Sequence, residues 1–191
     1  MPLYKTINVN NSTKVLIWKI EQPLVDLSQG IELTKNSKNR LDSMKSELHQ
    51  RGFLSIRHLL KEVGLVDADL MYDEFTFTGI IISDKVPVGI DIEMQRDKIL
   101  KIAHKFTPFQ EYKTIANADA LISKLTIVWG AKESLYKIFG KKKLRFLEHI
   151  YIEDFKFEDE KTSGTIDYNN ETNTYQVYFL EFEGFTCVYA F

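Results

Sequence analysis

The chain has 191 residues, 44% of them hydrophobic and 27% charged, with a formal charge of −2 at pH 7. That length holds one large domain or two small packed ones. The near-neutral charge excludes the broad basic field of a nucleic-acid binder, and no apolar run nears the ~20 residues that a membrane helix needs. Cys187 is the single cysteine, so no internal disulfide can form. With no signal-like N-terminus, the expected compartment is a reducing cytoplasm.

Taken in order, Lys14 to Ile20 reads as a buried strand closed by Pro23. Leu41 to Leu60 reads as a helix, with Leu41, Met44, Leu48, Phe53, Ile56, Leu59 and Leu60 at helical spacing. Gly52 within it marks a possible junction. Arg51, Arg57 and His49 accompany this element, and the plain expectation for each is a solvated helix face. After the segment Asp69–Phe75, the β-branched run Thr76–Ser83 reads as a strand, and Asp84-Lys85-Val86-Pro87 turns the chain.

Val88-Gly89-Ile90-Asp91-Ile92-Glu93 is the next strand. Alternation puts Asp91 and Glu93 on one face and Ile90 and Ile92 on the other. Two carboxylates side by side repel, and a hard divalent cation relieves that. Mg²⁺ is commonly held by one or two carboxylates, several waters and a substrate phosphate. Asp97–Phe106 reads as a short helix. Thr107 then looks like the N-cap of a fresh helix with Pro108 at its first position and Glu111 in its first turn, where a carboxylate meets a favourable dipole. A long helix carries Trp129 to Phe139, opened by Asp119 and ended by Gly140 with Lys141, Lys142 and Lys143. On it Leu125, Val128, Trp129, Leu135 and Phe139 are expected in the core. Trp129, Glu133 and Lys137 share one face at i, i+4 and i+8, with Lys132 beside them. Strand carboxylates, a helix carboxylate and two ammonium groups suit a phosphate ester bound with its metal. The plainer alternative is an exposed Glu133–Lys137 pair that stabilises the helix by roughly 0.2–0.5 kcal/mol.

From Ile150 onward the pattern is hairpin-like, with strands at Tyr151–Phe157, Gly164–Tyr168, Thr174–Phe182 and Phe185–Ala190. Tyr168-Asn169-Asn170 and Glu183-Gly184 supply the turns. No group in this stretch has evident catalytic chemistry; it reads as scaffold.

Gly89-Ile90-Asp91-Ile92-Glu93 followed by Trp129-x-x-Lys132-Glu133-x-x-x-Lys137 resembles the paired signature of the 4′-phosphopantetheinyl transferase superfamily, in its surfactin-synthetase-activating type with two halves in one chain. Arg51-x-Phe53-Leu54-x-x-Arg57-x-Leu59-Leu60 is similar to the first helix of that family. The resemblance implies an α+β fold of two similar α/β halves related by a pseudo-twofold, residues 1–87 and 88–191, with coenzyme A in the cleft between them. It implies Mg²⁺-dependent transfer of the phosphopantetheine arm of coenzyme A to a serine of an acyl or peptidyl carrier protein. Such carriers serve fatty acid, polyketide or nonribosomal peptide biosynthesis. The chain is expected to be a monomer with no nucleic-acid or membrane partner.

On this resemblance Asp91, Glu93 and Glu133 hold the metal. Glu111 sits in the Phe-x-x-x-Glu context of a catalytic glutamate and, with Lys132 and Lys137, serves the chemistry. Arg51, Lys132 and Lys137 bind coenzyme A, with Arg51 approaching the adenosine 3′-phosphate through its planar, permanently charged fork. One departure stands out. The family places a Gly-Lys-Pro loop and a Ser-His-Ser-type strand end between the counterparts of Tyr72–Phe75 and Thr76–Ser83, whereas here Phe75 meets Thr76. The expectation is a break in the chain at that junction. The alternative is a non-catalytic member that binds coenzyme A or a carrier protein.

Overall fold

The computed structural model describes residues 3–67, 76–111, 117–140 and 143–191. The expected break between Phe75 and Thr76, the segment Asp69–Phe75, and the lysines at 141 and 142 lie outside the described residues. The chain divides into two compact units, Met1–Lys85 and Val86–Phe191. Mixed helices and two sheets make the fold, compatible with that of the resembled family.

The first unit holds a three-stranded antiparallel sheet in the order β1 (Leu3–Asn8), β2 (Thr13–Lys19), β3 (Phe77–Ser83). The first of these strands was not read from sequence. Helices α1 (Leu24–Leu27), α2 (Lys35–Ser43) and α3 (Glu47–Glu62) follow β2. The expected single helix over 41–60 is therefore two, and the break falls at 44–46 rather than at Gly52. The Ser46 hydroxyl accepts the His49 N–H at 3.4 Å and caps α3, so the chain restarts a helix where a local side chain satisfies a free backbone donor. Gly52 is buried within α3. Phe53, Leu54, Ile56, Leu59 and Leu60 pack with Leu16 and Trp18 of β2 and Ile80 of β3. Leu48, at helical spacing with these residues, is 41% exposed.

The second unit is a five-stranded antiparallel sheet in the order β4-β8-β7-β6-β5. Its strands are β4 (Gly89–Met94), β5 (Ile150–Ile152), β6 (Lys161–Tyr168), β7 (Glu171–Phe182) and β8 (Phe185–Ala190). The strand expected over 151–157 stops at Ile152, and a 3₁₀ turn occupies Phe157–Asp159. Both hairpin turns place two residues at positive φ: Asn169 at 54° and Asn170 at 64°, then Glu183 at 46° and Gly184 at 77°. That is the twist a two-residue hairpin requires.

Helices α4 (Lys98–Ile102), α5 (Ala118–Phe139) and α6 (Phe146–His149) complete the unit. Asn117, not Asp119, caps α5 by accepting the Ala120 N–H at 2.9 Å. Gly140 ends it in the left-handed region at φ 66°. Leu125, Ile127, Val128, Ala131 and Leu135 of α5 pack with Ile166, Val177, Phe179 and Val188 of the sheet. The helix comes close to β4 because Gly89 lacks a side chain. A Cβ there would lie 2.0 Å from the Ser134 carbonyl oxygen. Ser134 also donates its hydroxyl to the Val188 carbonyl at 3.1 Å, fastening α5 to β8.

Candidate functional site

The close packing of α5 on β4 joins the two halves of the sequence motif. Lys137 donates to Asp91 Oδ1 at 2.7 Å and to the Ile90 carbonyl at 2.8 Å. Two turns back on the same helix, Trp129 Nε1 donates to Glu93 Oε1 at 3.0 Å. The alternation of β4 thus aims Asp91 and Glu93 at the helix, and the i, i+8 spacing of α5 meets both. Glu133 lies one turn from each end of this row. Gly130 fits between the elements: a Cβ on it would lie 2.8 Å from Val188 Cγ2 and 3.4 Å from Asp91 Oδ2. Trp129 packs as expected, edge-on to Phe106 at 5.1 Å between ring centroids, yet its indole nitrogen also fixes a motif carboxylate.

Among the described residues, no group of three or more His, Cys, Asp or Glu side chains is disposed to hold a metal ion. What the site does offer is two hard oxygen donors on one strand face, with a third carboxylate one helical turn from both of their partners. That donor chemistry fits a cation held by one or two carboxylates and completed by water and a phosphate.

Glu111 and Lys132 lie elsewhere, joined to each other. Glu111 follows Phe109 and Gln110 in a 3₁₀ turn. The Thr107 hydroxyl, expected to cap the backbone, instead donates to Glu111 Oε2 at 2.5 Å. Lys132 Nζ reaches both carboxylate oxygens, at 3.0 and 2.9 Å. It also donates to the carbonyls of Ile150 at 2.7 Å and Phe146 at 3.2 Å. The Ile152 N–H donates to Glu111 Oε1 at 3.1 Å. Both residues are 0% exposed. Burial raises the carboxyl pKa, with the Lys132 charge opposing it, and burial lowers that of the amine. Both side chains are buried.

In the first unit, Arg51 gives one guanidinium N–H to the Ile20 carbonyl at 3.0 Å, while its buried Nε has no hydrogen-bond partner among the described residues. Arg57 corrects the expectation of a solvated cation. It is 2% exposed, lies 3.4 Å above the Phe53 ring centroid, and pairs with Asp67 at 2.9 Å. Burial pushes the Asp67 pKa up, but hydrogen bonds from Ser37, Thr34 and Arg57 outweigh it and hold the group below 3.8. A second pair, buried Lys124 with the partly exposed Asp154 at 2.8 Å, likewise has no clear signal in the sequence. An aspartate ten residues beyond an arginine, or a lysine on the core side of a helix, is the faint signal that sequence carried for these two.

Residues 87–190 match the model of the 4′-phosphopantetheinyl transferase superfamily, more than half of the 191-residue chain. The chain matches no curated protein. No helix among the described residues is long and apolar enough to cross a membrane. The matched span contains β4 and α5 with every contact between them described above, and the chain belongs to the 4′-phosphopantetheinyl transferase superfamily.

Proposed function

We propose that the chain transfers the 4′-phosphopantetheine arm of coenzyme A to a serine of an acyl or peptidyl carrier protein, with Mg²⁺, leaving adenosine 3′,5′-bisphosphate. The observation that carries this reading is the joining of Asp91 and Glu93 to α5 through Lys137 and Trp129, within the span that matches the family. In the reaction the serine oxygen bonds to the phosphorus that bears the pantetheine arm, the bond from that phosphorus to the bridging oxygen breaks with its electron pair leaving on the adenosine bisphosphate, and the serine proton passes to water.

Asp91, Glu93 and Glu133 are the residues that would hold the cation. Mg²⁺ supplies neutralisation of the diphosphate charge and fixes its oxygens for in-line displacement. Lys137 has an ammonium whose side chain is 13% exposed and whose partner carboxylate is buried. It can therefore meet an incoming phosphate oxygen while remaining anchored to β4, stabilising negative charge on the leaving side. Arg51 holds the Ile20 carbonyl with one arm, and its remaining donors suit the 3′-phosphate of the nucleotide. The reading takes the cytoplasm as compartment, in keeping with Cys187 as a buried free thiol.

A second reading has one observation in its favour. No Ser-His-Ser-type segment stands between Phe75 and Thr76 in the sequence, which favours a member that binds coenzyme A or a carrier without transfer. Incubation of an apo carrier protein with coenzyme A and Mg²⁺ separates the two, because only the transferase adds the arm to the carrier's mass.

A further inference from the structure

β5 has three residues and, among the described residues, forms the edge of its sheet. It pairs with β6 on one side, Tyr151 opposite Thr165. A strand directs the C=O of one residue and the N–H of the residue two further on to the same side. On the open side of β5 these are the Ile150 carbonyl and the Ile152 N–H. Both residues are buried, at 2% and 0% exposure, so water cannot satisfy those groups and leaving them unpaired would be costly. Lys132 donates to the carbonyl at 2.7 Å and Glu111 accepts from the N–H at 3.1 Å. The ammonium and carboxylate are in turn joined at 2.9 and 3.0 Å. One donor and one acceptor, linked and spaced to match one residue pair, are what a neighbouring strand would present.

We infer that Glu111 and Lys132 are positioning residues for the transfer reaction, acting together as a surrogate neighbour strand on the open edge of β5 that fixes α5 in register against the sheet. Lys132 precedes Glu133 in the chain and lies on the same helix as Lys137, so any slide or rotation of α5 carries both of those groups with it. Eight residues earlier on α5, Lys124 donates to the Phe155 carbonyl and pairs with Asp154 at 2.8 Å. Two buried ammonium groups on one helix thus hold the segment 146–155 at both ends. The assignment to transfer rests on the function proposed above; the edge pairing itself rests on the contacts.

The test compares Glu111→Gln with Glu111→Ala. Glutamine keeps an oxygen for the Ile152 N–H but cannot remove a serine proton, whereas alanine loses both capacities. Kinetics of carrier modification, corrected for the folded fraction, should show the Gln variant within about tenfold of the unsubstituted kcat and with the same pH profile. The Ala variant should fall by a hundredfold or more. A Gln variant as inactive as the Ala variant, with its acidic limb erased, would make Glu111 a general base worth about 10²–10⁴-fold and overturn the inference. An Ala variant with unchanged kcat per folded molecule would also overturn it, because the pair would then be structural alone. Should Glu111→Ala not fold, the pH profile of the Gln variant decides. An unsubstituted chain that modifies no carrier counts against the transferase reading, and amide exchange then decides the edge pairing. Exchange at Ile152 should be slow in the unsubstituted and Gln chains and at least tenfold faster in Glu111→Ala or, if that fails to fold, Lys132→Met. Equal exchange throughout would overturn it.

Discussion

Replacing Lys137 by methionine removes the cation that pairs with Asp91 and leaves the aliphatic stem. The Asp91 side chain is 0% exposed, whereas that of Lys137 is 13% exposed. The two partners therefore respond unequally to losing each other. Without Lys137, a carboxylate stays buried with its nearest ammonium, 2.7 Å away, deleted. Breaking a buried pair in this way costs about 3–5 kcal/mol. Without the charge on Asp91, in Asp91→Asn, the lysine can turn its head to water and still bond the Ile90 carbonyl, so the loss is that of one charged hydrogen bond, about 1.5–3 kcal/mol. The double variant should cost less than the sum of the singles, because it leaves no stranded charge. Urea unfolding at pH 7 reads these differences. The chain has two tryptophans, so a Trp18→Phe background leaves Trp129 to report on the unit that holds the pair. Equal losses for the two single variants, or a loss under about 1 kcal/mol for Lys137→Met with an unchanged m value, would refute the reasoning and describe a solvated pair.

Three further outcomes follow from the same contacts. Gly89→Ala places a Cβ 2.0 Å from the Ser134 carbonyl oxygen, so β4 and α5 must part; the expected loss is about 1–3 kcal/mol or more, read by thermal melting, and a neutral substitution contradicts it. Glu133→Gln should abolish carrier modification under limiting Mg²⁺ with an unchanged melting curve, whereas a helix-surface residue would lose only roughly 0.2–0.5 kcal/mol of stability and no activity. Asp67 has a folded pKa held below the free value of 3.8, so its contribution to stability is present above that value and disappears as pH falls below it through the folded pKa. Asp67→Asn should flatten the acid limb of the stability profile in that window, and an unchanged limb would assign acid unfolding to other carboxylates.

The motif row was legible in sequence because two periodicities sufficed. Alternation put Asp91 and Glu93 on one face, and a nearly four-residue step put Trp129 and Lys137 on another. What no periodicity carried was which partner each group would find. Lys137 reads as a surface lysine until β4 is packed against it, and the fit depends on Gly89 and Gly130, whose missing side chains admit the contact. Arg57 reads as solvated in sequence because its partner, Asp67, lies beyond the helix that carries the arginine. The split between α2 and α3 had a local signal in the cap at Ser46, masked by apolar spacing that runs through it. Glu111 and Lys132 stand out in the sequence as a carboxylate and an ammonium, but no local pattern carries their burial. Total burial of a pair 21 positions apart follows from the sheet edge they close, and that edge is absent from any local pattern.

The central claim is transfer of the phosphopantetheine arm, and intact-mass spectrometry of an apo carrier protein tests it most directly. The carrier is incubated with the chain, coenzyme A and Mg²⁺, beside a sample held in chelator. The account predicts a carrier heavier by one phosphopantetheine arm in the first sample, with adenosine 3′,5′-bisphosphate released in equal amount, and an unmodified carrier in the second. A carrier of unchanged mass in both, while calorimetry shows the chain binding coenzyme A, would contradict the account and describe a binding member of the family without transferase activity.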